Sequence, residues 1–159
     1  MAATLIISGC SFKPLYGNTE SNQDLQQVLS TIEVIEIPGR VGQKVRNELI
    51  FAFNGGQGQG GGSYKLIIAV RESVTSQIVR RDGDSRGQFY KLTADFQLFS
   101  AADAKNPMLK GNSHAQASFK DDDSVYANIR SRRDAEDRAA KTVAEDLQVR
   151  LSAFLSTNS

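Results

Sequence analysis

Tryptophan is missing from this chain, and cysteine and histidine occur once each, as Cys10 and His114. A single cysteine excludes an internal disulfide. A lone histidine with no cysteine or second histidine beside it argues against a zinc site. An excess of one charge is also missing: 19 basic residues face 18 acidic ones, for a formal net charge of +1. A strongly basic body that grips nucleic acid through counterion release is therefore not indicated. Nor does any run reach the roughly 20 apolar residues of a membrane-spanning helix. What is present is enough for a core. Hydrophobic residues make up 40% of the chain and charged residues 23%, which argues against disorder. The 159 residues suit one domain.

The first residues, Met1 to Cys10, carry no charged side chain and turn apolar toward Ile6 and Ile7. Small residues Ser8 and Gly9 then precede Cys10, as they do ahead of a secretory cleavage point. Ile7-Ser8-Gly9-Cys10 has the form of a bacterial lipobox, with Cys10 as the acylated first residue of the mature protein. The apolar stretch is short and no basic segment precedes it, so a short strand with a buried cysteine is the competing reading. On the lipobox reading, residues 1–9 are the remnant of a signal peptide. Residues 10–30 then form an extended lead, with a short helical turn over Asp24 to Leu29. Residues 31–159 are the single periplasmic α+β domain.

Within that domain the patterns alternate between two periods. Thr31 to Ile37 is β-branched and stops at Pro38-Gly39, which predicts a strand. Val41, Val45, Leu49 and Phe53 recur every fourth residue and predict a helix over 40–54, closed by Asn54-Gly55. Gly55 to Ser63 is a glycine-rich flexible loop. Alternation at Tyr64, Leu66, Ile68 and Val70, with Lys65 and Arg71 opposite, predicts a second strand. A third is expected over 75–81. Asp82 to Gly87 reads as a hairpin loop. Tyr90, Leu92, Ala94, Phe96 and Leu98 alternate with Lys91, Thr93, Asp95 and Gln97 in a fourth strand. A fifth is expected over 108–119, irregular near Gly111. Ala139, Val143, Leu147, Leu151 and Leu155 predict a long helix over 131–155. The expected fold is a two-layer α+β sandwich: a mostly antiparallel sheet of four to five strands, with two helices on one face.

Catalytic and ligand motifs are weak. Gly56-Gln57-Gly58-Gln59-Gly60-Gly61 fits G-x-G-x-x-G but follows a helix and precedes a strand, the reverse of a dinucleotide fingerprint. No nucleophile-elbow pattern accompanies His114, which reads as a polar residue of a sheet face. Asp121, Asp122 and Asp123 lack the alternate spacing of a calcium loop. Arg80, Arg81, Arg86 and Lys91 surround the predicted hairpin. They are candidates for contact with an anionic lipid head group, since arginine pairs well with phosphate. An ordinary solvated turn is the alternative, because Asp82 and Asp84 flank it.

Cys10-Ser11-Phe12-Lys13-Pro14-Leu15-Tyr16-Gly17 resembles the opening of the lipopolysaccharide-assembly lipoprotein LptE family (rare lipoprotein B) in its alphaproteobacterial form. Ser11 stands where that form usually has glycine. Gly42 to Leu49, Tyr64-Lys65-Leu66, and Ser124 to Ala127 leading to Asp134 through Ala140 are similar to later segments of the family. The resemblance implies a non-enzymatic lipoprotein on the periplasmic face of the outer membrane. It implies diacylglycerol and an N-acyl chain on Cys10, and no other cofactor. The implied partner is the β-barrel translocon LptD, which such a lipoprotein plugs and helps to assemble. Lipopolysaccharide is a further implied ligand. A periplasmic scaffold or lipid-binding module outside that pathway is the alternative function, and a soluble enzyme using His114 is a third.

Overall fold

A computed structural model describes residues 20–55, 61–78, 86–120 and 124–158 of the chain. In order these form α1 (Glu20–Ser30), β1 (Ile32–Val34), α2 (Arg40–Asn54), β2 (Tyr64–Ile78), β3 (Arg86–Ser100), β4 (Leu109–Lys120) and α3 (Val125–Asn158). The four strands make one sheet in chain order, β1-β2-β3-β4. β1 runs parallel to β2, and the other pairs are antiparallel. The fold is α+β as expected. The sheet is mixed because α2 carries the chain from β1 back to start β2 in the same direction, as a β-α-β unit does.

The expected helix over 40–54 appears with those bounds. Val41, Val45, Leu49 and Phe53 are its buried stripe. Pro38 and Gly39 set its start, Gly39 at φ 84, and Gly55 ends it in the left-handed region at φ 62. Gly42 allows a close crossing. A Cβ there would lie 2.6 Å from Ile37 Cγ2 and 3.0 Å from Ile37 O. Ile37 is itself fully buried, so the segment between β1 and α2 is packed down on the helix it leads into.

Four expectations change. Residues 20–30, placed in the extended lead with a short turn from Asp24, form the helix α1. Leu29 is buried in the core and Leu25 and Val28 pack against it, so this helix is held by tertiary contact. β1 is shorter than the β-branched run, because Pro38 cannot donate to a ladder and Ile37 turns into the core. The strands expected separately over 64–71 and 75–81 are one strand, β2, paired without interruption from Tyr64↔Ser100 to Ile78↔Arg86. The polar stretch Arg71-Glu72-Ser73 hid its continuity. Glu72 and Val74 are exposed because the helix layer at this level covers β3 and β4, where Leu92, Tyr90 and Ala117 are buried, and leaves the second half of β2 open. α3 begins at Val125, ahead of the expected 131, with the Ser124 hydroxyl 3.4 Å from Ala127 N. Its first apolar residues, Val125, Tyr126 and Ile129, are exposed and add nothing to the buried stripe.

Beyond those turns α3 buries Ala135, Ala139, Ala140, Val143, Ala144, Leu147, Leu151 and Leu155. The sheet contributes Leu66, Ile68, Tyr90, Leu92, Ala94, Phe96, Leu98, Ala115 and Ala117 to the same core. Small side chains on both partners let helix and sheet approach closely. Arg138 Nη2 reaches Ser118 O at 2.8 Å, which fixes α3 along β4. Gly111 leaves room for its cross-strand partner, since a Cβ there would sit 3.0 Å from the Phe96 ring. Ser113 is fully buried in this layer, and its hydroxyl has no hydrogen-bond partner among the described residues.

At the margin of the core toward β2, the fully buried Tyr90 donates its hydroxyl to Glu72 Oε2 at 2.8 Å. Burial first, and the adjoining Glu72 carboxylate second, push the phenol well above its ordinary value of 10.0. A raised folded value means this contact stabilises the fold fully below the ordinary phenol range and is lost only as pH climbs through the raised value.

Two outcomes follow. Gly42→Ala forces Ile37 or the helix start to move and lowers stability by about 1–3 kcal/mol, as overpacking does, measured by urea denaturation. The phenolate absorbance of Tyr90, taken as native chain minus Tyr90→Phe, stays absent through the ordinary range near 10.0 and appears only with alkaline unfolding.

Candidate functional site

Alternation along the strands leaves the second sheet face without a helix. On β2 it carries Lys65, Ile67, Ala69 and Arg71, and on β3 Lys91, Thr93, Asp95 and Gln97. On β4 it carries Lys110, Asn112, His114, Gln116, Ser118 and Lys120, all exposed. Cross-strand register assembles these into rows: Ala69-Asp95-Asn112, Arg71-Thr93-His114 and Ser73-Lys91-Gln116. The surface is polar and net basic. Asp95 is engaged by Arg71 at 2.5 Å, and Glu33 of β1 lies 4.0 Å from Lys65 Nζ. Lys91, Lys110 and Lys120 have no carboxylate partner among the described residues.

The four predicted head-group contacts are not all on this surface. Lys91 is, in the row with Ser73 and Gln116. Arg86 pairs with Ile78, where β2 ends and β3 begins. It lies five positions from Lys91, about 17 Å along an antiparallel strand. Arg80 and Arg81 fall outside the described residues, as do Cys10, the aspartates at 121–123 and the glycine motif at 56–60. The expected hairpin connects β2 to β3, since Ile78 pairs with Arg86, although the residues of its loop are also outside. Lys110 and Lys120 were missed in the sequence. Carrying the alternation of the last strand through Gly111 would have placed both beside His114.

His114 is exposed on the open face, midway along the edge strand β4 and opposite Thr93. No hydroxyl or carboxylate is hydrogen-bonded to it among the described residues, so no nucleophile-base pair is assembled there. No group of three or more metal-ligating side chains occurs among the described residues.

The densest charge cluster lies on the helix side and is structural. Glu136, nearly buried, accepts from Arg132 Nε at 2.9 Å and from Arg40 Nη2, while Arg40 Nη1 donates to Asp137 at 3.0 Å. The hydrogen bond to Glu136 holds the Arg40 guanidinium above its ordinary value. Arg40 opens α2, where a cation opposes the helix dipole, and the carboxylates of α3 offset that cost. The arrangement ties two helices together. A shallow polar recess of about 310 Å³ lies near the start of α2, lined by Glu36, Gln43, Arg46 and Asn47.

No helix among the described residues is long and apolar enough to cross a membrane. Known proteins with this fold include lipoproteins. A crystal structure of a chain described as a lipoprotein, from Caulobacter crescentus, superposes with a TM-score of 0.71 at 25% identity, over 86% of this chain and 98% of that one. The minor lipoprotein of Acinetobacter baumannii shares the fold at 15% identity, with a TM-score of 0.53, over 78% of this chain and 92% of that one. No curated protein matches the sequence. A family model does, over residues 29–151, from the last turns of α1 to near the end of α3. The chain belongs to the LptE family, described as lipopolysaccharide-assembly.

Proposed function

We propose that this chain is a lipid-anchored subunit of the translocon that inserts lipopolysaccharide into the outer leaflet of the outer membrane. Membership of the lipopolysaccharide-assembly family over residues 29–151 carries this reading. In it, Cys10 bears diacylglycerol and an N-acyl chain, and the domain lies at the periplasmic face of the outer membrane. Each buried CH₂ contributes about 0.8 kcal/mol, and two or more chains hold a protein stably on a bilayer. No other cofactor is involved, and the chain is not an enzyme.

The partner is the β-barrel LptD, which this chain plugs and helps to assemble. Lumens of large outer-membrane barrels are polar and filled with water or plug. The open sheet face suits such a lumen. It is polar, carries cations in excess, and exposes apolar side chains only singly, as at Ile67. Lipopolysaccharide is the second ligand of this reading. Lys91, with Arg80, Arg81 and Arg86 of the hairpin, supplies charge-assisted contacts to its phosphates.

Metabolic labelling with a palmitate analogue tests the anchor, using the full-length gene. The native protein takes the label and Cys10→Ser does not; equal labelling of both contradicts it. Affinity purification from membranes tests the partner. The tagged protein recovers the barrel, and its depletion reduces surface lipopolysaccharide. Recovery of no barrel, with surface lipopolysaccharide unchanged, removes the translocon reading.

A further inference from the structure

The two edges of the sheet differ. On one side β1 offers three residues, with Val34 O already taken by Arg46 Nε at 3.1 Å, and beyond Leu66 β2 is itself the edge, where its one cation, Arg71, is already on Asp95. β4 offers twelve. In an antiparallel strand each residue sends its N–H and C=O to the same side, and successive residues alternate sides. Hydrogen bonds fix that parity across the sheet. Leu66 O accepts Ile35 N from the β1 side, and Ser63 O accepts Ala101 N from the β3 side. Odd residues of β3 therefore bond toward β2 and even ones toward β4. The β3–β4 register pairs even residues of β3 with odd residues of β4. The even residues of β4 consequently face away from the sheet. Ser118 O and Lys120 O confirm it, accepting from Arg138 and Ser131 of α3 at 2.8 and 3.1 Å.

Those two bonds close one end of the edge. At Lys110, Asn112, His114 and Gln116 the outward N–H and C=O groups have no hydrogen-bond partner among the described residues. These are the vacant ladder positions that an added strand fills. The side chains around them set what that strand must carry. On the open face the edge presents Lys110 at one end and Lys120 at the other, while Asp95, a carboxylate of the same face, is held by Arg71. On the helix side Ser113 and Ala115 are small and buried, and Leu109 packs against the core.

We propose that the β4 edge from Lys110 to Gln116 receives an extended segment of a protein partner, with acidic and apolar side chains alternating, as an additional strand. The acidic side chains lie on the open face against the lysines, and the apolar ones continue the helix-covered layer. A second copy of this chain fits poorly, because it would bring another basic sheet face, whose described carboxylates, Glu33 and Asp95, already face Lys65 and Arg71. The inference stands apart from the translocon reading and is tested without it.

The test uses the full 159-residue chain, nitrogen-15 labelled, and two short synthetic peptides, one alternating Glu and Val, the other Lys and Val. The Glu peptide produces saturable amide shifts at Asn112, His114 and Gln116, and the Lys peptide does not. Asn112→Pro removes one outward N–H at an edge position, where proline is tolerated, and abolishes the shifts. Lys110→Glu leaves the backbone intact and weakens the Glu peptide by about two- to five-fold, the scale of one cross-strand charge pair. Should Asn112→Pro lose its native spectrum, Lys110→Glu decides. Absence of shifts at high peptide concentration, equal response to both peptides, no effect of Lys110→Glu, or a concentration-dependent dimer that shifts the same amides overturns the proposal.

Discussion

Burial of the α3 stripe against one face of the sheet is the contact on which the remaining structure depends. Leu147, Leu151 and Leu155 are buried, each contributing at most about 1.5–3 kcal/mol relative to exposure. Alanines at 135, 139, 140 and 144 let the helix lie close over Ala115 and Ala117 of β4. The Ser113 hydroxyl lies buried in this layer with no hydrogen-bond partner among the described residues. α2 then packs against α3, held in place by Arg40 on Glu136 and Asp137, and α1 closes over both helices.

Because one face does the burying, the other is free to be polar. Lys65, Arg71, Lys91, Lys110 and Lys120 can occupy it without desolvation, and two carboxylates, Glu33 and Asp95, neutralise only part of that charge. The helices cover β3 and β4 but not the second half of β2, which is exposed from Arg71 to Ser76. Tyr90 on Glu72 ties that part of β2 to the core. A lipoprotein of the lipopolysaccharide-assembly family thus presents two kinds of surface, a helical back with paired charges and a basic sheet front.

Much of this could be read in the sequence, where a period of 3.6 or 2 was clean. Val41 to Phe53 marked α2 to its end residues, and Tyr90 to Leu98 marked the buried face of β3. Where burial changes along one element, periodicity misleads. β2 looked like two strands because its second half has no covered face, and α3 looked shorter because Val125, Tyr126 and Ile129 are exposed. α1 was hidden because its helicity depends on distant contacts through Leu29. The open face was half legible. Lys91, Thr93, Asp95 and Gln97 stood opposite the buried residues, but their alignment with Asn112, His114 and Gln116 is set by register, which no local pattern encodes. Arg40 and Glu136, 96 positions apart, show the same limit.

The central claim is that the basic sheet face is the surface this chain offers to a barrel. A photo-crosslinking residue placed in living cells at Gln97, on the open face, or at Lys141, on the outer side of α3, tests it most directly. Both positions are exposed, so neither substitution disturbs the core. The account predicts a crosslinked adduct with the β-barrel partner from Gln97 and none from Lys141. An adduct from Lys141 alone would contradict it.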